Sequence, residues 1–475
     1  MRLDKLVDNV DSEYAGADVT GFAIDHRKVA PGTIFGAFKG SRFNGEDYIG
    51  DAVKSGAVAV VARAEAPVVG AAHLAGSEPR KAFANLAARF FAPFPETVVA
   101  VTGTNGKTSN VELTRQLWNL SGKTSASIGT LGVTTANDQV TTGLTTPDIV
   151  TFLSNVHGLA TEGVTHLAFE ASSHGLDQYR TEGLPVKAGV FTNLSRDHLD
   201  YHGDMDSYFA AKMRLFDEVI IDGGTAVIWA DDSWSDKVIG HVKARGLNLM
   251  TVGEKGETIT LQARTLTPLG QVLDVEFDGA KHVIKLPLIG AYQAANALTS
   301  AALVIATGGN AKQVFDNLSR VQTVRGRLER AAITKAGAPI YVDYAHTPDG
   351  LDAAITALKP HAKGRLILVF GAGGDRDVGK RPEMGAIATN KADVVIVTDD
   401  NPRTEDPATI RAAIMQAAPG AIEIGDRRSA IAAAIAEAKD GDIICIAGKG
   451  HEQGQIVGDL VLPFDDVTVA RECAA

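Results

Sequence analysis

The chain has 475 residues, with 46 lysine and arginine against 57 aspartate and glutamate side chains, and its net charge of −11 argues against general nucleic-acid binding. Its hydrophobic content of 45% and charged content of 22% are typical of a globular protein with more than one domain. Because it has only two cysteines, no signal-peptide pattern and no apolar stretch near the roughly 18 residues that span a bilayer, we expect a cytoplasmic protein without membrane insertion.

The first segment, residues 1–95, is predicted to be a small α/β domain. Ala57–Ala62 is an apolar run typical of a strand. Phe91–Pro95 contains two prolines and predicts a domain boundary.

Residues 96–328 alternate between predicted strands and helices. This alternation predicts a mostly parallel central sheet of P-loop type with helices on both faces. Strands are expected at Val98–Thr102, His166–Glu170, Gly189–Thr192 and Ala226–Trp229, and helices at Thr108–Leu120 and Ser207–Val219. Gln271–Leu286 instead predicts a peripheral antiparallel pair that turns at Asp278-Gly279.

The alternation restarts in residues 329–475 and predicts a Rossmann-like α/β domain. Strands are expected at Ile340–Asp343, Arg365–Phe370, Asp393–Thr398 and Asp442–Ala447. Alanine-rich helices near Pro407–Ala418 and Ser429–Ala438 are separated by the breaker Pro419-Gly420.

Val101–Ser109 is a glycine-bearing turn between a predicted strand and a predicted helix. Such a turn presents backbone N–H groups and a helix dipole to an anion, while Lys107 can reach phosphate oxygens and Thr108 can hold Mg²⁺. The full Walker A pattern would need glycine at position 101, where this chain has valine, so we expect a turn unlike that of a GTPase. The alternative is a chance Gly-Lys-Thr in a surface turn. The sequence predicts ATP binding.

Four polar clusters follow this loop. Thr145-Thr146-Pro147 alone favours a structural turn, and Glu170 is either an ordinary strand-end carboxylate or part of a metal–nucleotide site. Asn193–His202 contains two histidines and two aspartates, a density that favours function. Lys212 lies among apolar residues of a predicted helix, and on sequence alone it is most simply a lysine whose charged end reaches solvent.

Charged clusters also lie at or beyond the ends of the last four predicted strands. They are Asp343–His346, Gly374–Asp377, Asp400–Arg403 and Gly448–Glu452. Because the carboxyl ends of parallel strands meet at one edge of a sheet, we expect these clusters to share one cleft. Its arginines, Arg376 and Arg403, suit a carboxylate, and Glu452 suits an ammonium group, so the predicted ligand is an amino acid. Surface ion pairs would leave similar residues.

Together these motifs resemble those of the Mur ligase family over essentially the whole chain. The family's motifs appear in order as Gly103–Thr108, Thr145–Pro147, Glu170–Leu176, Asn193–His198, Gly290–Asn296, Gly326-Arg327 and Asp343–His346. Asp400–Arg403 is similar to the motif of members that add meso-2,6-diaminopimelate, and lysine-adding members differ there. The resemblance implies a three-domain enzyme, expected to be monomeric, that uses ATP and Mg²⁺ to join this amino acid to UDP-MurNAc-L-Ala-D-Glu through an acyl phosphate.

The resemblance also implies roles for individual residues. Nucleotide contacts are expected from Gly103, Thr104, Asn105, Gly106, Lys107, Thr108, Ser109, Asn296, Arg327 and Asp343. Metal ligands are expected to be Thr108, Glu170, His198 and Lys212, the last as a carbamate, which reverses the interpretation from sequence alone. The expected catalytic residues are Lys107, Glu170, His198 and Lys212. The UDP substrate is expected to contact His26, Ser41, Arg42, Phe43, Thr145, Thr146, Ser172, Gln178 and Arg180. The incoming amino acid is expected to contact Arg376, Asp400, Asn401, Pro402, Arg403, Gly448 and Glu452.

The first segment departs from the family pattern in two places. Asp25-His26-Arg27 stands where the family has Asp-Ser-Arg, and Asn44-Gly45 stands where it has Asp-Gly. Two alternatives stay open: a related ligase of the lysine-adding or folylpolyglutamate type, and a nucleotide-dependent binding module without ligation. The Asp400–Arg403 motif and the first segment argue against the folylpolyglutamate type.

Overall fold

The computed structural model describes residues 1–8, 10–40, 43–141, 143–268 and 270–475. Its first sheet has four parallel strands in chain order: β1 (Gly21–Ala23), β2 (Thr33–Gly36), β3 (Ala57–Ala62) and β4 (Ala72–Ala75). The accompanying helices are α1 (Leu3–Leu6), α2 (Ile49–Lys54) and α3 (Pro79–Phe91), with 3₁₀ helices at His26–Lys28 and Gly45–Tyr48. The strand predicted at Ala57–Ala62 is confirmed.

Within the described residues, the central sheet has eleven strands. They are β5 (Thr97–Thr102), β6 (Ser125–Gly129), β7 (Gly132–Thr134), β8 (Gln139–Val140), β9 (His166–Glu170), β10 (Val186–Phe191), β11 (Ile220–Trp229), β12 (Asn248–Gly253), β13 (Ile259–Thr267), β14 (Gly270–Phe277) and β15 (Ala280–Leu286). Their order is β15-β14-β13-β12-β11-β10-β5-β9-β6-β7-β8. The seven strands from β13 to β6 are mutually parallel, and antiparallel strands extend the sheet at both ends.

Helices cover both faces of this sheet. They are α4 (Lys107–Leu120), α5 (Ile149–Thr161), α6 (Ser173–Asp177), α7 (Leu199–His202), α8 (Met205–Arg214), α9 (Ser235–Arg245), α10 (Ala291–Ala306) and α11 (Ala311–Asn317), with a π-helical turn at Leu215–Val219 and a 3₁₀ helix at Leu318–Arg320. Alternate residues of β5 enter different cores. Val98 packs in the core that contains Phe152 of α5, and Val99 packs in the core that contains Leu117 of α4. The predicted mostly parallel sheet between two helix layers is confirmed.

The third sheet has the order β16-β17-β21-β18-β19-β20 and is parallel except for its first pair. Its strands are β16 (Glu329–Ile333), β17 (Pro339–Asp343), β18 (Leu366–Phe370), β19 (Val394–Val397), β20 (Ile422–Glu423) and β21 (Ile443–Ala447), and a separate hairpin consists of β22 (Gly454–Val457) and β23 (Leu460–Pro463). The helices are α12 (Pro348–Leu358), α13 (Lys380–Lys391), α14 (Pro407–Met415), α15 (Arg427–Glu437) and α16 (Asp466–Ala474), with a 3₁₀ helix at Lys359–His361.

The element limits differ from prediction where local hydrogen bonds decide them. The helix expected at Ser207–Val219 begins earlier, because the Asp204 side chain accepts from the Ser207 N–H, and its last turn is π-helical. The antiparallel pair in Gln271–Leu286 is confirmed, but it extends a third strand, β13, that was not predicted. In the described part of the chain, no helix combines the length and apolarity needed to cross a membrane. The domain limits near residues 95 and 328 stay predictions.

Candidate active site

The loop after β5 is shaped by two glycines. Val101 is fully buried within β5, so the loop proper begins only at Gly103. A Cβ atom on Gly103 (φ 142°) would lie 1.9 Å from the Thr192 hydroxyl oxygen, and one on Gly106 (φ 88°) would lie 2.5 Å from Asn296 Oδ1. Larger residues would therefore displace the loop from its neighbours.

Lys107 is the first residue of α4 and folds back over the loop. Its Nζ donates to the carbonyl oxygens of Gly103 at 3.0 Å and Thr104 at 2.8 Å. Burial lowers its pKa, while the carboxylates of Glu170 and Asp197 act in the opposite direction. The loop therefore holds a half-buried amine beside the N-terminus of a 14-residue helix, where an anion is favoured.

A cavity of about 550 Å³ opens in front of this loop. It brings together nine of the ten predicted nucleotide contacts: Thr104, Asn105, Gly106, Lys107, Thr108, Ser109, Asn296, Arg327 and Asp343. Gly103 does not line it, but its carbonyl oxygen accepts from two lysines. Arg327 Nη2 donates to the Thr108 hydroxyl at 2.9 Å, which ties residues far apart in the sequence to one site. We name this space the loop cavity.

Lys212 lies at the floor of the loop cavity on α8. It is 1% exposed, and its Nζ donates to the Gly103 carbonyl at 2.7 Å and lies 4.4 Å from the centre of the Tyr208 ring. The interpretation of a lysine whose charge reaches solvent is therefore wrong. Burial, reinforced by the nearby Lys107, lowers the pKa of Lys212 well below its ordinary value. The structure thus favours a neutral amine at this position.

Glu170 and His198 also line the loop cavity. Glu170 is 1% exposed and accepts from the backbone N–H of Thr130 at 2.8 Å and from its hydroxyl at 3.2 Å. Partial burial lowers the pKa of His198 despite the nearby Asp197 carboxylate, which favours the neutral imidazole.

These groups fit a hard cation only in combination with other oxygens. Within the described residues, no group of three or more His, Cys, Asp or Glu side chains could hold a metal ion. The Thr108 hydroxyl, the Glu170 carboxylate and the neutral His198 ring are each chemically able to ligate one. Mg²⁺ commonly completes its shell with water and phosphate oxygens, and the donor set present fits that pattern.

The predicted UDP-substrate contacts of the central sheet form one hydrogen-bond network. Thr146 donates to the Glu170 carbonyl at 2.8 Å and lies 2.9 Å from the Ser172 hydroxyl. Arg180 donates to the Thr146 carbonyl at 2.8 Å and to Gln178 Oε1 at 2.7 Å. The Thr145 hydroxyl lies 3.1 Å from that of Thr130 on the cavity wall.

Among the described residues, the predicted UDP-substrate contacts near the first sheet form no such hydrogen-bond network. His26 stacks on Tyr48 with ring centres 4.2 Å apart and an interplanar angle of 3°. Phe43 is 71% exposed. Ser41 and Arg42 lie outside the described residues.

A second cavity of about 550 Å³ lies at the carboxyl edge of the third sheet. All four predicted charged clusters contribute to its wall, so the expected shared cleft is confirmed. Of the predicted amino-acid contacts, Arg376, Asp400, Asn401, Arg403, Gly448 and Glu452 line it, and Pro402 does not. We name this space the strand-end cavity.

The two cavities meet at a common wall. Thr130, Thr145, Asp197, His198, Tyr344 and His346 line both of them. A ligand on the loop therefore lies next to a ligand in the strand-end cavity.

The chain is similar to known proteins over nearly its whole length. Family models match residues 18–93 (Mur ligase family, catalytic domain), 101–304 (Mur ligase middle domain) and 326–450 (Mur ligase, glutamate ligase domain). A relative from Zymomonas mobilis subsp. mobilis, named UDP-N-acetylmuramoyl-L-alanyl-D-glutamate–2,6-diaminopimelate ligase, is 60% identical over 96% of this chain and 94% of its own. The chain belongs to the Mur ligase family.

Two further similarities extend over nearly the full length of this Mur ligase. A relative of the same name from Bradyrhizobium diazoefficiens is 52% identical over 98% of this chain and 97% of its own. A solved structure that carries this name is 32% identical, with a TM-score of 0.74, and covers 100% of this chain and 98% of the other.

The Mur ligase site includes residues that were not predicted. Thr130 follows β6, a strand that was not predicted, and it holds Glu170. Lys449 is fully buried behind the strand-end cavity. Its place between two glycines in the Gly448–Glu452 cluster was the available signal, but nothing in the sequence showed that its side chain turns inward.

Proposed function

We propose that this Mur ligase is an ATP-dependent amide ligase that adds meso-2,6-diaminopimelate to UDP-MurNAc-L-Ala-D-Glu, forming ADP and phosphate in peptidoglycan precursor synthesis. The names of its 60% and 52% identical relatives support this substrate assignment. The observation that carries the proposal is the common wall between the loop cavity and the strand-end cavity. It allows a group activated on the loop to meet an amino acid without leaving the protein.

The first step is phosphoryl transfer to a carboxylate. An oxygen of the D-Glu side-chain carboxylate attacks the γ-phosphorus of ATP, and ADP leaves with the electrons of the broken P–O bond. Lys107 and the loop N–H groups are placed to neutralise the transferring phosphoryl group. Mg²⁺ would be held by Thr108, Glu170 and His198 and would supply further charge neutralisation when bound.

The second step is amide formation. One amino group of the incoming diamino acid attacks the acyl carbon in its uncharged form. The nitrogen then loses a proton, and the tetrahedral intermediate collapses with loss of phosphate. Arg376 and Arg403 suit the carboxylate of that amino acid, and Glu452 suits its ammonium group. An acyl phosphate hydrolyses readily in water, so closure of the third sheet over the central one is expected to protect it.

We propose that Lys212 carries a carbamate. Carbon dioxide reacts with a neutral amine, and the low pKa of this buried side chain supports that form. The carbamate would add a second anionic ligand beside Glu170. The expectations of a monomer and of a cytoplasmic location stay predictions.

The test is phosphate release in the presence of ATP and the UDP-dipeptide, compared among meso-diaminopimelate, lysine, ornithine and no amino acid. We expect release that depends strongly on meso-diaminopimelate. Preference for lysine would favour the lysine-adding type. ATP binding without amino-acid-dependent phosphate release would favour the binding module.

A further inference from the structure

A fully buried lysine lies directly behind the strand-end cavity. Lys449 follows β21, and its side chain is 0% exposed. Its Nζ donates to Asn401 Oδ1 at 3.0 Å, to Glu452 Oε2 at 3.2 Å and to the Gly454 carbonyl at 2.6 Å. An ammonium group has three N–H donors, so each is matched by one acceptor, as burial of a charge requires.

Two of these acceptors belong to the predicted amino-acid contacts. Asn401 Nδ2 donates to the same Glu452 oxygen at 2.7 Å, and the Ile456 N–H donates to Asn401 Oδ1 at 2.9 Å. The asparagine amide is therefore fixed in one orientation, with its oxygen toward Lys449 and its nitrogen toward Glu452.

The two oxygens of the Glu452 carboxylate have different surroundings. Oε2 accepts hydrogen bonds from both Lys449 and Asn401. In the described part of the chain, Oε1 accepts no hydrogen bond. Glu452 is 30% exposed and lines the strand-end cavity. One oxygen is thus held by the protein, and the other is left for a ligand.

The third acceptor links Lys449 to the hairpin that contacts the backbone of Arg403. Gly454 begins β22, whose Ile456 carbonyl accepts from the Arg403 N–H at 3.0 Å. The Gly458 N–H donates to the Arg403 carbonyl at 2.7 Å. Arg403 has a left-handed backbone, with φ of 52°, so its conformation depends on this hairpin.

We propose that Lys449 is a positioning residue for the amino-acid substrate: it fixes the Glu452 carboxylate so that one oxygen faces the substrate's ammonium group, and it anchors the hairpin that holds Arg403. This inference rests on the proposed function. It assigns no contact between Lys449 and the substrate, because the lysine has no N–H left to donate.

The test is steady-state kinetics of the full-length Lys449→Met variant. We expect the KM for meso-diaminopimelate to rise about tenfold or more, because a buried charge partner is lost. The KM values for ATP and the UDP-dipeptide should stay within about twofold, since the loop cavity is not contacted. An unchanged KM for meso-diaminopimelate would overturn the proposal.

A double-mutant cycle separates positioning from a general structural effect. In a Glu452→Gln background, Lys449→Met should raise the KM for meso-diaminopimelate by clearly less than it does in the wild type, because the carboxylate it positions is gone. The same increase in both backgrounds would contradict the proposal. Lys391→Met, at an exposed lysine, is the matched control and should behave as wild type.

Folding is checked by thermal unfolding of each variant. If Lys449→Met does not fold, Lys449→Gln keeps two donors and is tested in the same way. Failure of both to fold, while Glu452→Gln folds normally, would make the lysine purely structural and overturn the proposal. If the wild type itself shows no phosphate release dependent on meso-diaminopimelate, the proposed function fails. An active wild type with an unaffected variant rejects only the positioning role.

Discussion

Two lysines, Lys107 half-buried and Lys212 buried, share one backbone acceptor in the site. The Gly103 carbonyl accepts from Lys107 at 3.0 Å and from Lys212 at 2.7 Å. Two ammonium groups so close would repel each other, and burial lowers the pKa of both, that of Lys212 well below its ordinary value. We propose that the two lysines have different roles: Lys107 contacts phosphate as a cation, and Lys212 is the lysine that carries the carbamate.

Replacing Lys107 tests the first of these roles. We expect Lys107→Ala to lower kcat by about a hundredfold or more, because the transferring phosphoryl group loses its nearest cation. Lys123→Ala, at an exposed lysine just beyond α4, is the control and should keep wild-type activity. Near-normal phosphate release from the Lys107 variant would remove this residue from the site.

Replacing Lys212 tests the carbamate. We expect Lys212→Ala to be inactive and to recover part of its activity in the presence of short carboxylic acids, which can occupy the space of the lost carbamate. Lys107→Ala should show no such recovery under the same conditions. Equal inactivity of the Lys212 variant with and without the acids would contradict the carbamate.

The burial of the Lys212 side chain could not be predicted from the sequence. Helical spacing placed Lys212 correctly on a helix, but the same spacing allows its charged end to reach water. The decision depends on α8 packing against the loop that follows β5, and this is a contact across 109 positions of the sequence. The burial of Lys449 could not be predicted for the same reason, because its acceptor Asn401 lies 48 positions earlier in the sequence.

At the scale of elements, a buried ion pair joins α15 to α16. Arg427 donates to both carboxylate oxygens of Asp466, at 2.8 and 2.7 Å, and both side chains are 0% exposed. The same arginine donates to the carbonyls of Asp399 and Ala447, the residues just before the pocket motifs Asp400–Arg403 and Gly448–Glu452. The pair thus supports the backbone from which the strand-end cavity is built.

The neighbouring arginine provides a matched comparison. Arg428 pairs with Glu472 at 2.7 Å, but the two side chains are 53% and 50% exposed. We expect Arg427→Met to lower the free energy of unfolding by about 3–5 kcal/mol, because it leaves an unpaired buried carboxylate. Arg428→Met should cost about 1 kcal/mol or less. Urea denaturation of both variants measures the difference, and equal effects would contradict this account.

The strands were the most predictable elements. β3 and β9 match their predicted limits because each has an apolar centre and is buried at nearly every position. β6 was not predicted because serines alternate with its apolar residues, so it does not form an apolar run. All five of its residues are nevertheless buried. Its Ser125 and Ser127 hydroxyls are satisfied by α4, a contact that a single strand cannot reveal.

For the molecule as a whole, His451 links the site to pH-dependent stability: it lines the strand-end cavity, with its ring centre 4.9 Å from that of Tyr344. Burial and the nearby Arg327 and Arg325 lower the pKa of His451 to about 3. The folded protein therefore keeps this ring neutral, whereas the unfolded chain protonates it below pH 6.5. Its contribution to stability is present above pH 6.5 and is lost as the pH falls from there toward 3.

A pH series of unfolding experiments measures this contribution. Between pH 7 and pH 5, we expect His451 to account for on the order of 2 kcal/mol of lost unfolding free energy. The unfolding free energy of the His451→Gln variant should fall less steeply over this range. That of the His241→Gln variant, at an exposed histidine, should follow the wild type. Parallel curves for all three proteins would contradict the assignment.

We propose that a carboxylate is activated in the loop cavity and that the amine comes from the strand-end cavity. The most direct measurement uses UDP-dipeptide labelled with ¹⁸O in the D-Glu side-chain carboxylate, with ATP and meso-diaminopimelate, followed by mass analysis of the released phosphate. Attack by the carboxylate on the γ-phosphorus predicts one ¹⁸O atom in each phosphate formed. Unlabelled phosphate, released in step with tripeptide, would contradict an acyl phosphate intermediate.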